Sequence, residues 1–372
     1  MSTFTHLGVK KGFVKSLKEL KITTPTEIQE KAIPKLIKSK TDFIGLAQTG
    51  TGKTAAFGLP VLHQIDTEKP VIQALILSPT RELVQQIKKQ LFKFTKYADD
   101  RVFLEAVFGG EKIDRQLKNL ERTTHVVIAT PGRLIDLIKR GTVDLSNVKT
   151  VVLDEADEML SMGFKKELDT ILTHTGTQKN TWLFSATMPE GIQRIIKTYM
   201  SDDAVQVTVN QNALVNANIS HQYIKTTVRQ KTADIIDFLV AKGTGRGIIF
   251  CKTKLGTQAL AKELQEEGFS VGALEGDMTQ KERDKVMRAF KNETLQTLIS
   301  TDVSARGIDV SNLAYVIHHQ LPDQLEYYTH RSGRTARAGN KGISVAFILP
   351  VELERIFKIQ KELGIKFKEE NL

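Results

Sequence analysis

Hydrophobic and polar positions alternate between two kinds of segment in the first half of the chain. Short aliphatic or β-branched runs, among them DFIGLA, ALILSP, VFLEAVFG, THVVIATP, KTVVLDEAD and TWLFSATM, are separated by longer amphipathic stretches such as RELVQQIKKQLFKFTKY. Continuous apolar runs of this length are typical of strands buried on both faces of a parallel sheet, and the stretches between them predict crossover helices. The pattern therefore predicts an α/β fold, a mostly parallel sheet with helices on both faces.

The stretch VTVNQNALVNANISH interrupts this pattern with Asn, Gln and Ser, and the pattern then restarts at GIIFCKT, FSVGALEG, TLQTLISTD, LAYVIHHQ and GISVAFILP. We predict a first domain at residues 1–207, a linker at 208–221 and a second domain of the same class at 222–372. A length of 372 residues suits two domains, because single hydrophobic cores stop growing beyond about 250–300 residues. The final VELERIFKIQKELGIKFKEENL predicts a helix followed by a short strand or coil.

Composition narrows the class of protein. A hydrophobic fraction of 40% and a charged fraction of 26% are those of a globular protein. No apolar run approaches the roughly 18–20 residues that cross a bilayer, and no signal peptide is visible, so we expect no membrane association. The single cysteine, Cys251, fits a reducing compartment, and we expect a cytoplasmic protein. The net charge of +10 favours a polyanionic partner such as nucleic acid as much as it favours a merely lysine-rich surface.

The segment AQTGTGKT, residues 47–54, follows an apolar run and precedes a helical pattern. It matches the phosphate-binding loop, with Ala47 where the stricter form has glycine. Glycines let backbone N–H groups wrap around phosphate oxygens, the lysine reaches the β- and γ-phosphates, and the final hydroxyl can bind Mg²⁺. A chance loop is the alternative, which the strand–loop–helix context disfavours. The residues predicted to bind nucleotide are Gln48, Thr49, Gly50, Thr51, Gly52, Lys53 and Thr54.

The stretch VVLDEADEML, residues 151–160, places four carboxylates at the end of an apolar run. Such a cluster is costly unless a cation compensates it. If a nucleotide lies on the loop, Asp154 and Thr54 are expected to hold its Mg²⁺, and Glu155 to orient and deprotonate the attacking water. Acidic residues at a strand end also commonly cap helices, and Glu158 is expected to be a helix-start or surface charge.

The order of short motifs resembles that of the DEAD-box RNA helicases over nearly the whole chain. The name-giving tetrapeptide is DEAD at 154–157. Around it stand TPTEIQ, AQTGTGKT, PTREL at 79–83, the glycine pair at 109–110, TPGR at 130–133, SAT at 185–187, IIFCKTK at 248–254, TDVSARGID at 301–309 and HRSGRTARAG at 330–339. The resemblance implies two RecA-like domains that use ATP and Mg²⁺ and that bind RNA.

For the base of ATP, the resemblance implies recognition by the amide of Gln29, supported by Phe4 and Ile22. An amide can donate to and accept from an adenine edge at once. Two residues depart from the family pattern, since Lys21 stands where glycine is usual and Ile22 where an aromatic is usual.

For catalysis and coupling, the resemblance implies that Lys53, Glu155 and two arginine fingers, Arg334 and Arg337, act on the phosphates, and that Asp309 binds the ribose. It also implies a hydrogen-bonded network that links the ATP and RNA sites through Asp157, Ser185, Thr187 and His330. The implied RNA contacts, mostly to the backbone and independent of base sequence, are Thr80, Arg81, Gly110, Thr130, Arg133, Arg283 and Thr301.

The sequence therefore predicts an ATP-dependent RNA helicase that couples RNA-stimulated ATP hydrolysis to domain closure and to local melting of short duplexes. One alternative is an ATP-gated RNA clamp or scaffold without productive unwinding, and another is a DNA helicase of a neighbouring group. Single-stranded RNA or short RNA duplexes are the expected partners, protein partners that direct targeting are possible, and a monomer is the default. His318 and His319 have no further ligand at metal spacing, and Cys251 and Trp182 are expected in the core.

Overall fold

The computed structural model describes residues 2–48, 50–209, 218–305, 310, 313–336 and 340–371. The chain forms two compact units, Met1–Gln211 and Asn212–Leu372. Each unit contains a seven-stranded sheet, and every strand pair of the described residues is parallel. Two mostly parallel α/β domains are therefore confirmed as the fold class.

The first sheet has the order β3-β4-β2-β5-β6-β1-β7. Its strands are β1 (Phe43–Leu46), β2 (Ala74–Leu77), β3 (Leu104–Val107), β4 (Val126–Ala129), β5 (Thr150–Asp154), β6 (Asn180–Ser185) and β7 (Val205–Thr208). Its helices are α1 (Lys11–Glu19), α2 (Glu27–Lys38), α3 (Lys53–Gln64), α4 (Arg81–Phe94), α5 (Ile113–Leu120), α6 (Pro131–Lys139), α7 (Ala156–Ser161), α8 (Lys165–His174) and α9 (Glu190–Tyr199).

Helices cover both faces of this sheet, because successive side chains of a strand point to opposite sides. On β6, Trp182 and Phe184 pack into a core shared with α1 to α4, whereas Leu183 packs into a core shared with α6 to α9. Trp182 is fully buried, as predicted, and its indole N–H donates to the Thr41 carbonyl at 3.1 Å. The sheet therefore presents only its two edges and its strand ends to ligands.

The second sheet has the order β10-β11-β9-β12-β13-β8-β14. Its strands are β8 (Ile219–Lys225), β9 (Gly247–Phe250), β10 (Val271–Leu274), β11 (Thr297–Ser300), β12 (Tyr315–His318), β13 (Gly342–Ile348) and β14 (Phe367–Glu369). Its helices are α10 (Lys231–Lys242), α11 (Lys254–Glu266), α12 (Gln280–Lys291), α13 (Asp302–Ala305), α14 (Leu325–Ser332) and α15 (Leu353–Leu363). The predicted closing helix and short strand are α15 and β14. Cys251 is buried after β9, where burial raises the pKa of its thiol to about 12.

The predicted linker at 208–221 is too long at both ends. Thr208 is the last residue of β7, and Ile219 to His221 are the first residues of β8, which pairs with β13. The segment ISHQYIK contains several polar residues, yet its burial alternates as in a strand. Ile219, His221 and Tyr223 are buried, while Ser220 is exposed. Residues 210–217 lie outside the described part of the chain.

The strand order determines which loops meet at the carboxyl edge of the first sheet. Strands β5, β6 and β1 are neighbours, and β2, β4 and β3 continue the sheet on the other side of β5. Ligands of open α/β sheets bind at the carboxyl ends of strands.

None of the helices in the described part of the chain combines the length and the hydrophobicity that a membrane span requires.

Candidate functional site

The predicted phosphate loop connects the end of β1 to the start of α3. Gly50 and Gly52 have φ angles of +83° and +92°, a backbone conformation that favours glycine. A Cβ on Gly52 would come within 2.3 Å of the Gln29 amide nitrogen, so this glycine also permits the close approach of α2. The Thr51 hydroxyl donates to the Gln48 carbonyl at 2.7 Å. Thr49 lies outside the described residues.

Lys53 is buried at the first position of α3, and its ammonium donates to the Ala47 carbonyl at 3.0 Å. Its positive charge also lies close enough to Asp154 to lower the pKa of that carboxyl. The loop, the lysine and the acidic strand end therefore meet in one place, since β1 and β5 both border β6.

Asp154 ends β5 with only 5% of its surface exposed. Its Oδ1 is buried and accepts no hydrogen bond from the described residues. Burial raises the pKa of this carboxyl to about 7, against the opposing effect of Lys53 and with a further rise from Glu155. A buried carboxylate oxygen without a partner suits a hard cation. Mg²⁺ usually takes one or two carboxylates together with phosphates and water, and Asp154 supplies one such carboxylate. Within the described residues, there is no group of three or more His, Cys, Asp or Glu side chains that could hold a metal ion.

Glu155 has a left-handed backbone, with φ 51° and ψ 51°, immediately before α7. A side chain other than glycine in this conformation costs about 1 kcal/mol or more. The left-handed conformation turns the chain sharply from β5 into α7. The half-buried Glu155 side chain thereby lies beside the Asp154 carboxylate. The predicted role of Glu155 in orienting the attacking water stays a prediction.

Gln29 is buried in the first turn of α2 and uses both ends of its amide. Its oxygen accepts from the Thr26 N–H at 3.0 Å, and its nitrogen donates to the Gly52 carbonyl at 3.0 Å. The amide therefore ties α2 to the phosphate loop, and because Gln29 is only 3% exposed, its predicted contact with the base stays a prediction.

Phe4, predicted to support the base, is buried in the hydrophobic core. Its ring is 2% exposed and lies in the core formed with α1 to α4, so it has almost no surface left for a ligand. Ile22 is half-buried and packs against the same core. Phe4 therefore anchors the segment before α1 by packing, and its predicted support of the base stays a prediction.

The predicted coupling residues of the first unit form a hydrogen-bonded network across β5 and β6. The buried Asp157 carboxylate accepts from the Thr187 N–H at 2.9 Å and from the Thr187 hydroxyl at 2.8 Å. The Ser185 hydroxyl in turn donates to the Thr187 carbonyl at 2.7 Å. Glu158, predicted as a helix-start or surface charge, lies in the first turn of α7 but is buried, and it accepts from the Ser161 hydroxyl at 2.7 Å.

Two of the predicted RNA contacts are threonines at helix starts. Thr80 immediately precedes α4, where its hydroxyl accepts from the Leu83 N–H at 3.3 Å, and Thr130 immediately precedes α6. These helices follow β2 and β4, which are neighbours in the sheet. Helix starts with their free N–H groups are favourable positions for phosphate.

The predicted RNA-binding arginines of the first unit contact the loop after β3. The Arg81 Nη1 donates to the Gly109 carbonyl at 3.3 Å, and Arg133 donates to the Glu111 carbonyl from Nη1 at 3.1 Å and from Nη2 at 3.2 Å. Gly110 has a φ of +86° in that loop. Residues from three neighbouring strand ends are thus joined by direct hydrogen bonds.

In the second unit, the predicted RNA residues Arg283 and Thr301 both contact Ser304. The buried Arg283 donates to the Ser304 carbonyl at 2.5 Å, and the Thr301 hydroxyl is 3.1 Å from the Ser304 hydroxyl. His330 lies on α14 and Arg334 follows it, both half-buried. Asp309 and Arg337 lie outside the described residues, so their predicted roles stay predictions.

Comparison with known proteins identifies the family. The family model described as DEAD/DEAH box helicase matches residues 26–195, and the helicase conserved C-terminal domain matches residues 230–339. An ATP-dependent RNA helicase CshA of Limosilactobacillus reuteri is 41% identical over 358 residues, which cover 96% of this chain and 71% of that protein. The chain belongs to the DEAD-box ATP-dependent RNA helicases. As a member of this family it is an ATP-hydrolysing enzyme.

Two solved structures of DEAD-box proteins are similar over nearly the whole chain. S. cerevisiae Dbp5 bound to RNA and ADP BeF3 matches with a TM-score of 0.91 at 29% identity, covering 100% of this chain and 96% of that one. A DEAD box protein from the hyperthermophile Methanococcus jannaschii matches with a TM-score of 0.57 at 37% identity, covering 99% of each chain.

Two buried side chains of this DEAD-box chain make contacts that the sequence analysis did not predict. Arg331, 2% exposed, forms a bidentate ion pair with Asp302, from Nε at 2.6 Å and Nη2 at 2.6 Å. This pair joins α14 to α13, which directly follows Thr301. Gln116, a buried amide on α5, contacts both the loop after β3 and Arg133. The sequence does not reveal the partner of either side chain. An Arg or Gln at a helix position that otherwise carries apolar residues can, however, indicate a buried polar contact.

Proposed function

We propose that this DEAD-box protein couples RNA-stimulated ATP hydrolysis to closure of its two domains and to local melting of short RNA duplexes. The layout of one sheet edge carries the proposal. The residues predicted for the phosphates and Mg²⁺ follow β1 and β5, and the first-unit residues predicted for RNA follow β2, β3 and β4. The network from Asp157 to Thr187 joins the ends of β5 and β6. We infer that these hydrogen bonds connect ATP hydrolysis with RNA binding, because β5 lies between β6 and β2 in the sheet.

ATP is expected to bind with its phosphates on the loop and the start of α3. Lys53 would exchange its bond with the Ala47 carbonyl for phosphate oxygens. Mg²⁺ held by Asp154 and the Thr54 hydroxyl would neutralise the negative charge that develops on the phosphates. Glu155 would hold the attacking water and accept its proton.

The second domain would complete the reaction. We propose that Arg334 and Arg337 stabilise the charge on the γ-phosphate, a contribution worth about 10³–10⁵ in rate for such arginines. Because the phosphate loop belongs to the first unit and these arginines to the second, hydrolysis would require domain closure. Backbone contacts would make RNA binding independent of base sequence, and contacts to 2′-hydroxyls would favour RNA over DNA.

The first test is ATP hydrolysis with and without single-stranded RNA in the wild type and in Glu155→Gln. We expect strong stimulation by RNA in the wild type and a loss of about 10²–10⁴ in the variant, with nucleotide binding retained because Glu155 is not a phosphate ligand. Glu190→Gln, at an exposed carboxylate of α9, is the matched control. Hydrolysis indifferent to RNA would refute the proposed coupling.

Strand separation of short duplexes then distinguishes the remaining functions. ATP-dependent melting of an RNA duplex supports the helicase. RNA-stimulated hydrolysis without strand separation supports an ATP-gated clamp or scaffold instead. Equal or better activity on a DNA duplex of the same sequence would indicate a DNA helicase.

A further inference from the structure

Helix α5 buries an amide where an apolar side chain would be expected. Gln116 is 1% exposed, and it is the one buried side chain among the residues of this short helix, all of which are described. Burying an amide costs free energy unless its hydrogen bonds are made. The contacts of Gln116 therefore indicate what α5 holds in place.

Gln116 makes three of the four hydrogen bonds that an amide can make. Its nitrogen donates to the Phe108 carbonyl at 2.9 Å and to the Glu111 carboxylate at 3.2 Å, and its oxygen accepts from the Arg133 Nη1 at 3.1 Å. Phe108 and Glu111 are the residues on either side of the glycine pair. One side chain thus holds both ends of that loop and one of the predicted RNA-binding arginines.

In this loop the carbonyl groups accept hydrogen bonds from the protein, whereas the N–H groups of the glycine pair do not donate any within the described residues. Its carbonyls at Phe108, Gly109 and Glu111 accept from Gln116, Arg81 and Arg133, respectively. The N–H groups of Gly109 and Gly110, both exposed, donate to no group within the described residues. A Cβ on Gly109 would meet no atom within 4 Å, so there is room beside this glycine for a ligand atom.

We propose that Gln116 is a positioning residue for RNA binding, which holds the loop at 108–111 with its carbonyls turned inward and its N–H groups available to a backbone phosphate. Free N–H groups on successive residues form an anion-binding concavity, whereas a peptide rotated by half a turn would present a carbonyl oxygen that repels phosphate. Without Gln116 the loop would lose the bond that fixes the peptide before the glycine pair and part of the support for Arg133. This inference rests on the proposed RNA-dependent function.

The test is Gln116→Met, which keeps the approximate volume and removes all three hydrogen bonds. We expect the RNA concentration that half-saturates ATP hydrolysis to rise about tenfold, since the net free energy of a few lost hydrogen bonds is of that order. The rate at saturating RNA should fall about twofold or less. The dependence of RNA affinity on salt concentration should keep its slope, because no phosphate-neutralising charge is removed.

Asn119→Leu is the matched control, because this amide lies on the same helix but donates to the Glu105 carboxylate at 3.1 Å, away from the glycine pair. It should leave the half-saturating RNA concentration unchanged. Equal values for wild type and Gln116→Met would overturn the proposal, and so would RNA and ATP affinities that fall together. If Gln116→Met does not fold, Gln116→Glu decides, because it keeps an acceptor for Arg133 and removes both donations to the loop. A wild type whose hydrolysis ignores RNA would instead refute the proposed function.

Discussion

Replacing Asp154 with asparagine is expected to stabilise the ligand-free protein, increasingly so as the pH rises. The carboxyl lies buried at the end of β5, and burial raises its pKa from 3.8 to about 7 in spite of the neighbouring Lys53 ammonium. A carboxyl whose folded pKa exceeds its unfolded pKa binds more protons in the folded state between those two values. Stability is therefore lost as the pH rises above 3.8, and the loss is complete above about 7. Asparagine does not ionise and is exempt from this loss.

The magnitude follows from the width of that pH interval. Each pH unit inside it changes the free energy of unfolding by about 1.4 kcal/mol. Between pH 5 and pH 7, Asp154→Asn should therefore gain about 2 kcal/mol over the wild type. For a unit of this size, that difference corresponds to a shift of about 5 °C in Tm.

The assay is thermal unfolding of both proteins from pH 5 to pH 8 without nucleotide, with Asp202→Asn, at an exposed carboxylate of the same unit, as the control. We expect the Tm of Asp154→Asn to rise relative to the wild type as the pH increases, and that of the control to stay parallel to it. Added Mg²⁺ and ATP should stabilise the wild type more than Asp154→Asn, because a bound cation favours the ionised carboxylate. Parallel Tm curves for Asp154→Asn and wild type would refute the reasoning.

Three further substitutions test the local structure. Lys21 has a φ of +59°, so Lys21→Gly should raise the free energy of unfolding by about 1 kcal/mol, and an unchanged Tm would contradict this. Gly52→Ala would place a Cβ 2.3 Å from the Gln29 amide at a φ of +92°, and we expect ATP binding, measured by fluorescent-nucleotide titration, to weaken at least tenfold. Arg331→Met would leave Asp302 without its bidentate partner and should cost about 3 kcal/mol in urea unfolding, whereas a loss below 1 kcal/mol would show that the pair contributes little.

The strands and the phosphate loop were predictable because their signals are local. Apolar runs, such as the one that forms β5, and the glycines of the loop at 47–54 depend only on the residues beside them. The start of strand β8 was not predicted, because its buried residues alternate with polar ones and include His221. A period of two within a polar segment is a weak signal when its buried positions are not all apolar.

Motif order in the sequence determined the family, the two α/β domains and the residue types that the chemistry needs. Tertiary structure alone decided that Phe4 is buried, that Gln116 on α5 accepts from Arg133 on α6, and that the ends of β5 and β6 are joined through Asp157 and Thr187. The physical reason is distance along the chain. A residue's own periodicity and turn chemistry lie within a short window, whereas strand order and buried hydrogen bonds depend on partners many residues away, which no local pattern specifies.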